Sequence, residues 1–386
     1  MSQASNLDSS PRTFDGANRF GFRLLSQLVQ EQPHNRNFVV SPVSVQLALA
    51  MAYAGAEGAT AAAMADTLGW SGTSREQLLE LQSALQASLK NPGSDVVLRI
   101  ANAVWVDESA KLQPTYAQAV EQGFGSEIFS RSFRGSGLVG EINRWVDRQT
   151  LGKITQILME PPPPPLCLVD AVYFKAPWKS PFESRSNARQ PFFLQDGRQV
   201  DVVMMRNQAF LAHSKTDGFE AVRLPYAGDR FGLVLLLPKS ESTVQALIER
   251  LADRPWSELD QGFQEARCDL TIPKFRVDYE AQLQMSLKQL GMAAAFDPAV
   301  ADFRRMLEDE SPLYIQSVIH KTFLRVDEAG SEAAAVTAVV MPRAALPEQN
   351  AVKLVFDRPF VFAIVDQTSH TILFAGILGD PEGTQP

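Results

Sequence analysis

The period of the apolar positions changes several times along the chain, and each change marks an element. Phe14, Ala17, Phe20, Leu24, Leu25 and Leu28 recur at helical spacing, so Thr13 to Gln30 is expected to form an amphipathic helix. Phe38-Val39-Val40 is a short strand, and Ser41-Pro42 then opens a helix, with Ser41 as cap and Pro42 in the first turn. Val43 to Ala54 is apolar almost all round, so this second helix is expected to be buried. Ser41 and Ser44 then need polar partners. Further helices are expected over Glu57 to Leu68, Ser74 to Lys90, Pro114 to Gln122 and Val244 to Leu251, with another from Glu280 to Leu290 stopped by Gly291. Strands are expected over Val96 to Val106, Arg267 to Phe275, Pro312 to Val326, Val352 to Val365 and Thr371 to Leu378. Leu166 to Phe174 is a near-continuous apolar run, which fits a central strand covered on both faces. Phe219 to Tyr226 and Arg230 to Leu237 pair across Ala227-Gly228-Asp229 as a hairpin.

Two stretches fit neither period cleanly. Five prolines, Pro161 to Pro165, must be extended and cannot join a ladder. A stiff connector is the favoured reading, and a docking ligand for a proline-binding module the alternative, though no basic residue flanks the run. The other stretch is Val326 to Leu346, VDEAGSEAAAVTAVVMPRAAL. Its alanines favour a surface helix capped by Ser331. At period two, however, one face reads Ser331, Ala333, Ala335, Thr337, Val339, Met341, all small or apolar. Such a face is able to slide between two strands without burying a charge. The stretch ends in Pro342-Arg343-Ala344-Ala345-Leu346-Pro347, a Pro-bracketed turn of the kind proteases cut.

This stretch resembles the reactive-centre loop of a serpin, and the resemblance extends along the chain. Asn37-Phe38-Val39-Val40-Ser41-Pro42-Val43-Ser44 resembles the family's strand-to-helix opening, and Asn143 with Thr150, Gly152, Lys153 and Ile154 its later helix. Phe174 to Phe182 (FKAPWKSPF), Ile319-His320-Lys321 and Asp357 to Phe362 (DRPFVF) match further signatures. In order and spacing these cover Phe14 to Asp380. The resemblance implies an α+β serpin fold: a large central mixed β-sheet, two further sheets, eight or nine helices and an exposed reactive-centre loop. It implies one domain over 14–380, a loop at about 328–350, a flexible tail over 1–13 and a carboxyl-terminal tail over 381–386. Gly140 to Leu151 is then a helix crossing the sheet. By position, Ser41, Ser44, Asn143 and His320 form a polar cluster where the sheet opens. Trp178 and Lys274 sit at the top of the sheet, with Lys274 paired to Glu328. The hinge comprises Glu328, Gly330, Ser331, Ala333, Ala335 and Thr337.

Composition narrows the chemistry. The net charge of −8 disfavours nucleic acid and anionic membrane as partners. No apolar run approaches the ~20 residues a membrane span needs. The amino terminus carries no hydrophobic signal core and no Asn-x-Ser/Thr acceptor occurs, so a cytoplasmic protein is expected, with bacterial origin suggested by the bare frame. Cys167 and Cys268 lie in apolar strand-like runs and read as buried thiols, with a disulfide or metal pair as the minority reading. The four histidines, His34, His213, His320 and His370, belong to no catalytic or metal-binding motif. An enzyme is therefore not expected, nor any metal or cofactor. His320 reads as a satisfied core histidine or as the polar hub of the opening sheet. Ser74 to Glu80 lacks a basic cluster, so a heparin-like activator is not expected.

The resemblance implies a monomeric suicide inhibitor of serine proteases, working by cleavage and strand insertion of the loop. A non-inhibitory carrier or chaperone on the same scaffold is the alternative; it would have lost the small uncharged arm, which here is intact at Ala333, Ala334, Ala335 and Thr337. Counting the family's arm length from Glu328 sets the reactive bond at Ala344–Ala345, for elastase-like or subtilisin-like targets. The competing reading is Arg343–Ala344, for a trypsin-like pocket. Pro342 restricts what Arg343 can present, and cutting there shortens the arm.

Overall fold

A helix that is apolar all round needs walls on every side, and here two sheets supply them. The computed structural model describes residues 14–32, 36–135, 137–309, 311–332 and 351–382. The chain begins with α1 (Asp15–Glu31), β1 (Asn37–Val40), α2 (Pro42–Gly55), α3 (Gly58–Thr67) and α4 (Arg75–Leu89). It continues through β2 (Val97–Asp107), α5 (Pro114–Phe124), β3 (Glu127–Arg131), α6 (Gly137–Gln149) and β4 (Leu166–Pro177). Next come β5 (Ala188–Phe193), β6 (Gln199–Lys215), β7 (Phe219–Pro225), β8 (Phe231–Pro238), α7 (Val244–Asp253) and α8 (Trp256–Gln261). The rest is β9 (Gln264–Pro273), β10 (Phe275–Gln282), α9 (Gln284–Leu287), β11 (Ile315–Val326), β12 (Gly330–Ser331), β13 (Val352–Val355), β14 (Phe360–Asp366) and β15 (Thr371–Leu378). The Ser41 hydroxyl accepts from the Ser44 N–H to cap α2, and every residue from Pro42 to Tyr53 is buried. α2 packs on β2 and β4 of one sheet and on β15 of the other.

The first sheet has six strands in the order β10-β11-β12-β4-β2-β3. It is mixed: β4 runs parallel to β11 and antiparallel to β2. Along β4 the side chains alternate between two cores. Leu166, Leu168, Val172, Phe174 and Ala176 join the main core around α2. Cys167, Val169, Ala171 and Tyr173 join a second cluster with Ile142, Trp145 and Val146 of α6. A strand buried on both faces is thus the physical reason for the unbroken apolar run. α6 covers the outer face of this sheet.

The second sheet has nine strands, β1-β15-β14-β8-β7-β6-β9-β13, with β5 also on β6. Two further sheets were expected from the resemblance; among the described residues they are one, because β6 is long enough to pair with β5, β7 and β9. β6 was not anticipated, since Asp201, Arg206, Asn207 and Gln208 interrupt its apolar residues. Two expected elements are also corrected. Glu280 lies in β10, not in a helix, because the alternating burial of Phe275, Val277, Tyr279 and Ala281 continues to Gln282. The strand expected over Val352 to Val365 is two strands, broken ahead of Phe360 at Pro359, which has no N–H for a ladder. Nine α-helices are present among the described residues. The expected tail over 1–13 lies outside the described residues, as do 383–386 of the carboxyl-terminal one.

Candidate functional site

The polar partners that α2 required are in the six-stranded sheet. Ser41, Ser44, Asp170 and His320 are fully buried, and Asn102 almost so. The Ser41 backbone N–H donates to Nε2 of His320 at 3.1 Å. That nitrogen is therefore the acceptor of a neutral ring, and the proton sits on Nδ1, which donates to Oδ2 of Asp170 at 2.7 Å. The Ser44 hydroxyl donates to the other Asp170 oxygen and lies 3.1 Å from Oδ1 of Asn102. The Asn102 amide donates to the Ser44 carbonyl at 3.2 Å. His320 stands opposite Asp170 across the β11–β4 ladder, so the pair straddles the seam between these strands. Asn143, expected in this cluster, is elsewhere. Its amide donates to Leu158 O at 2.8 Å, and its Oδ1 accepts from the Ile157 and Leu158 N–H groups at 2.9 and 3.0 Å. It ties the segment after α6 to α6. Asp170 and Asn102 take its expected place, and neither stood out in the sequence because each is one polar residue with apolar neighbours on both sides in a strand.

At the upper end of the same seam the strands part. β4 and β11 pair directly from Leu166–Ile315 to Tyr173–Phe323, and above that β12 lies between them. Ser331 pairs with Val326 on one side and Ala176 on the other, and Gly330 with Pro177. A Cβ on Gly330 would stand 2.1 Å from Ala176 O, so no other residue enters this close without moving β4. The Ser331 hydroxyl faces the core, 2.6 Å from the Tyr226 hydroxyl. Glu332 points to the opposite face, where it meets Lys153 at 2.5 Å. Trp178 is buried, stacks on Tyr226 at 4.5 Å, and donates from Nε1 to Asp327 O at 2.8 Å. Lys274 Nζ lies 3.0 Å from the Glu328 carboxyl group, which also accepts from the Asn187 amide. Burial opposes ionisation of Glu328, but the Asn187 and backbone hydrogen bonds and Lys274 outweigh it and hold the carboxyl below its usual range. Ala333, Ala335, Thr337, Arg343, Ala344 and Ala345 lie outside the described residues.

The family model for serpins, serine protease inhibitors, matches residues 15–381. The chain belongs to the serpin family. It is 35% identical over 379 residues to an uncharacterized serpin-like protein of the archaeon Thermococcus kodakarensis, covering 95% of this chain and 85% of that one. It is 31% identical to intracellular coagulation inhibitor 2 of Tachypleus tridentatus, covering 93% and 88% of the two chains. Among solved structures it superposes on the thermophilic serpin tengpin in its native state with a TM-score of 0.87, at 30% identity, covering 95% and 93%. It superposes on human thyroxine-binding globulin with a TM-score of 0.85, at 26% identity, covering 96% and 99%. None of these relatives supports the bacterial origin suggested by the bare frame.

As a serpin, the protein presents a seam with a polar latch in its middle and an arm whose first residues are seated at its upper end. The groups gathered here are suited to parting and re-pairing strands, and Cys167 and Cys268 are both free and buried. Burial raises the pKa of both thiols, which keeps them protonated and unreactive.

Proposed function

We propose that this serpin is a suicide inhibitor of serine proteases, working by cleavage of the arm and its insertion between β4 and β11. The observation that carries the reading is the seat of Gly330 and Ser331 in the seam, which sets a register. Continued one for one along β4, it brings Ala333, Ala335, Thr337, Val339 and Met341 opposite Phe174, Val172, Asp170, Leu168 and Leu166. Apart from Asp170, these partners belong to the main core, and no arriving residue is charged. Insertion then adds a ladder of backbone bonds without stranding a charge inside. On the β11 side the same count brings Thr337 opposite His320. Thr337 thus arrives between the two partners of the latch, with a hydroxyl that can donate to one and accept from the other.

In this reading the protease serine attacks the carbonyl carbon of Ala344. The Ala344–Ala345 bond breaks, Ala345 leaves as a new amino terminus, and an ester joins Ala344 to the enzyme. Loop insertion in serpins is a known case of strand addition that releases stored strain. It carries the acylated enzyme to the far pole of the sheet, where deacylation stalls. Ala344 suits proteases with a small primary pocket, elastase-like or subtilisin-like; attack after Arg343 instead suits a trypsin-like one. The free, buried thiols fit work in a reducing compartment such as the cytoplasm.

The test is incubation with elastase, subtilisin and trypsin, followed by a denaturing gel and the mass of the released carboxyl-terminal peptide. A covalent complex that survives denaturant supports inhibition, and a peptide beginning at Ala345 fixes the bond. A peptide beginning at Ala344 moves it to Arg343. Plain nicking by every protease overturns inhibition in favour of the carrier reading.

A further inference from the structure

The five prolines between α6 and β4 are unexplained by the fold, and the seam's register gives them a place in the mechanism. The run is fixed at both ends. Before it, Ile157 and Leu158 are buried and bonded to Asn143. At its end, the Pro165 carbonyl accepts from the Asp107 N–H at 2.8 Å, which ties it to the last residue of β2. Between these anchors Pro161, Pro163 and Pro164 are exposed and Pro162 is buried. Met159 beside them is 83% exposed. The result is a stiff run of prolines with no N–H to offer a further strand, separated from Met159 by the exposed Glu160.

The pairing of Ser331 with Ala176, continued along β4, sets Met341 opposite Leu166, the first residue of that strand. Past Met341 the count runs beyond the start of β4, where the chain bends at Pro164 and Pro165, so Pro342, Arg343 and Ala344 emerge beside the proline run. The pairing with Val326, continued along β11, reaches Ile315, the first residue of that strand, at Pro342. Both neighbours of the inserted arm therefore end together, at the edge of the proline run. From the last laddered residue, Met341, to Ala344 the chain reaches at most ~10 Å.

We infer that Pro161–Pro165, with Met159, is the surface against which the acylated protease is held. This rests on the inhibitory reading above. The enzyme's catalytic serine, esterified to Ala344, comes to lie over the exposed prolines, and the short tether gives it no slack to move away. A proline run without donors can neither extend the sheet nor unravel into it, so the steric load falls on the protease. The ester survives because the distorted enzyme no longer delivers water to it.

The test uses the full chain and the protease that forms the covalent complex with it. Pro161→Ser, Pro163→Gly and Pro164→Ser are combined in one variant, and Met159→Ser and Pro163→Ser are made singly. Two rates are measured: formation of the complex, and its decay by return of protease activity. The expected result is unchanged formation with decay about tenfold faster in the triple variant and faster in each single one. Decay at the wild-type rate overturns the inference, and the single variants decide it if the triple one does not fold. The protease-free, loop-cleaved forms should melt together with the wild type. A lower melting temperature there assigns the prolines to insertion instead, and overturns the contact surface. Wild-type protein forming no covalent complex overturns the inhibitory reading itself, before any variant is compared.

Discussion

His320 and Asp170 share one side-chain hydrogen bond, which insertion of the arm in the proposed mechanism would have to break. Asp170→Ala leaves the His320 Nδ1–H without its acceptor in a fully buried site, while the Ser44 hydroxyl keeps only Asn102 Oδ1. Orphaning a buried donor costs about 1–3 kcal/mol, so the variant should unfold at lower denaturant, destabilised by about that amount. Equilibrium unfolding measures this; a midpoint equal to wild type contradicts the latch. Thr337→Arg asks the complementary question. It brings a guanidinium to the same site on insertion, at a cost of several kcal/mol, while leaving the exposed tip for the protease to find. The variant should be cut at the wild-type rate yet form little covalent complex on a denaturing gel; an unchanged complex yield means that Thr337 does not face inward. Single residues were unevenly legible here. Ser41, Ser44 and His320 stood out as polar groups in apolar surroundings. Asp170 did not, because one carboxylate in LCLVDAVYF looks like an interruption until its partners on β11 and α2 are in place. Asn143 stood at a suitable point in the chain order but on a helix face turned toward its own following segment.

In the proposed mechanism the hinge is the element that decides when the seam opens. Lys274 and Asn187 hold Glu328 just before β12, while Trp178 donates its indole N–H to the Asp327 carbonyl and its backbone N–H to Ala329 O at 2.9 Å. Glu328→Lys replaces attraction by repulsion there, so mild heating should convert the protein to inserted or polymeric forms faster than wild type. Size-exclusion chromatography after heating reads this, and monomer persisting as in wild type would count against it. The same contact sets a pH dependence. Because the Glu328 carboxyl is held below its ordinary value, its contribution is complete above the free-carboxylate pKa of about 4.3 and is lost as pH falls below it. Heat-induced conversion should be flat from pH 7 to 5 and rise below about 4, and Glu328→Gln should remove that step. The sequence left helix and strand both open for this arm. Alanine's propensity favours a helix, and only the paired edges of β4 and β11 turn Gly330 and Ser331 into a strand.

At the scale of the whole molecule, the family signatures made the mixed sheet and its helices legible from the chain alone. What they did not convey was how the sheets join and what covers them. β6 joins the expected second and third sheets, a consequence of its length that mixed charges concealed. α6 roofs the outer face of the six-stranded sheet with Ile142, Trp145 and Val146. On the proposed insertion an entering arm would be buried on both faces, and Ala334, Val336, Ala338 and Val340 would gain apolar neighbours as the inner row would. Insertion of the whole arm would add about ten ladder residues, each worth about 0.5–1.5 kcal/mol net in hydrogen bonding alone. Entry of a cut arm into the sheet is read from thermal melting of intact and loop-cleaved protein. The cleaved form should keep both fragments together and melt on the order of 10 °C or more above the intact one. A cleaved form that melts at the intact temperature, or below it, means that the arm does not insert.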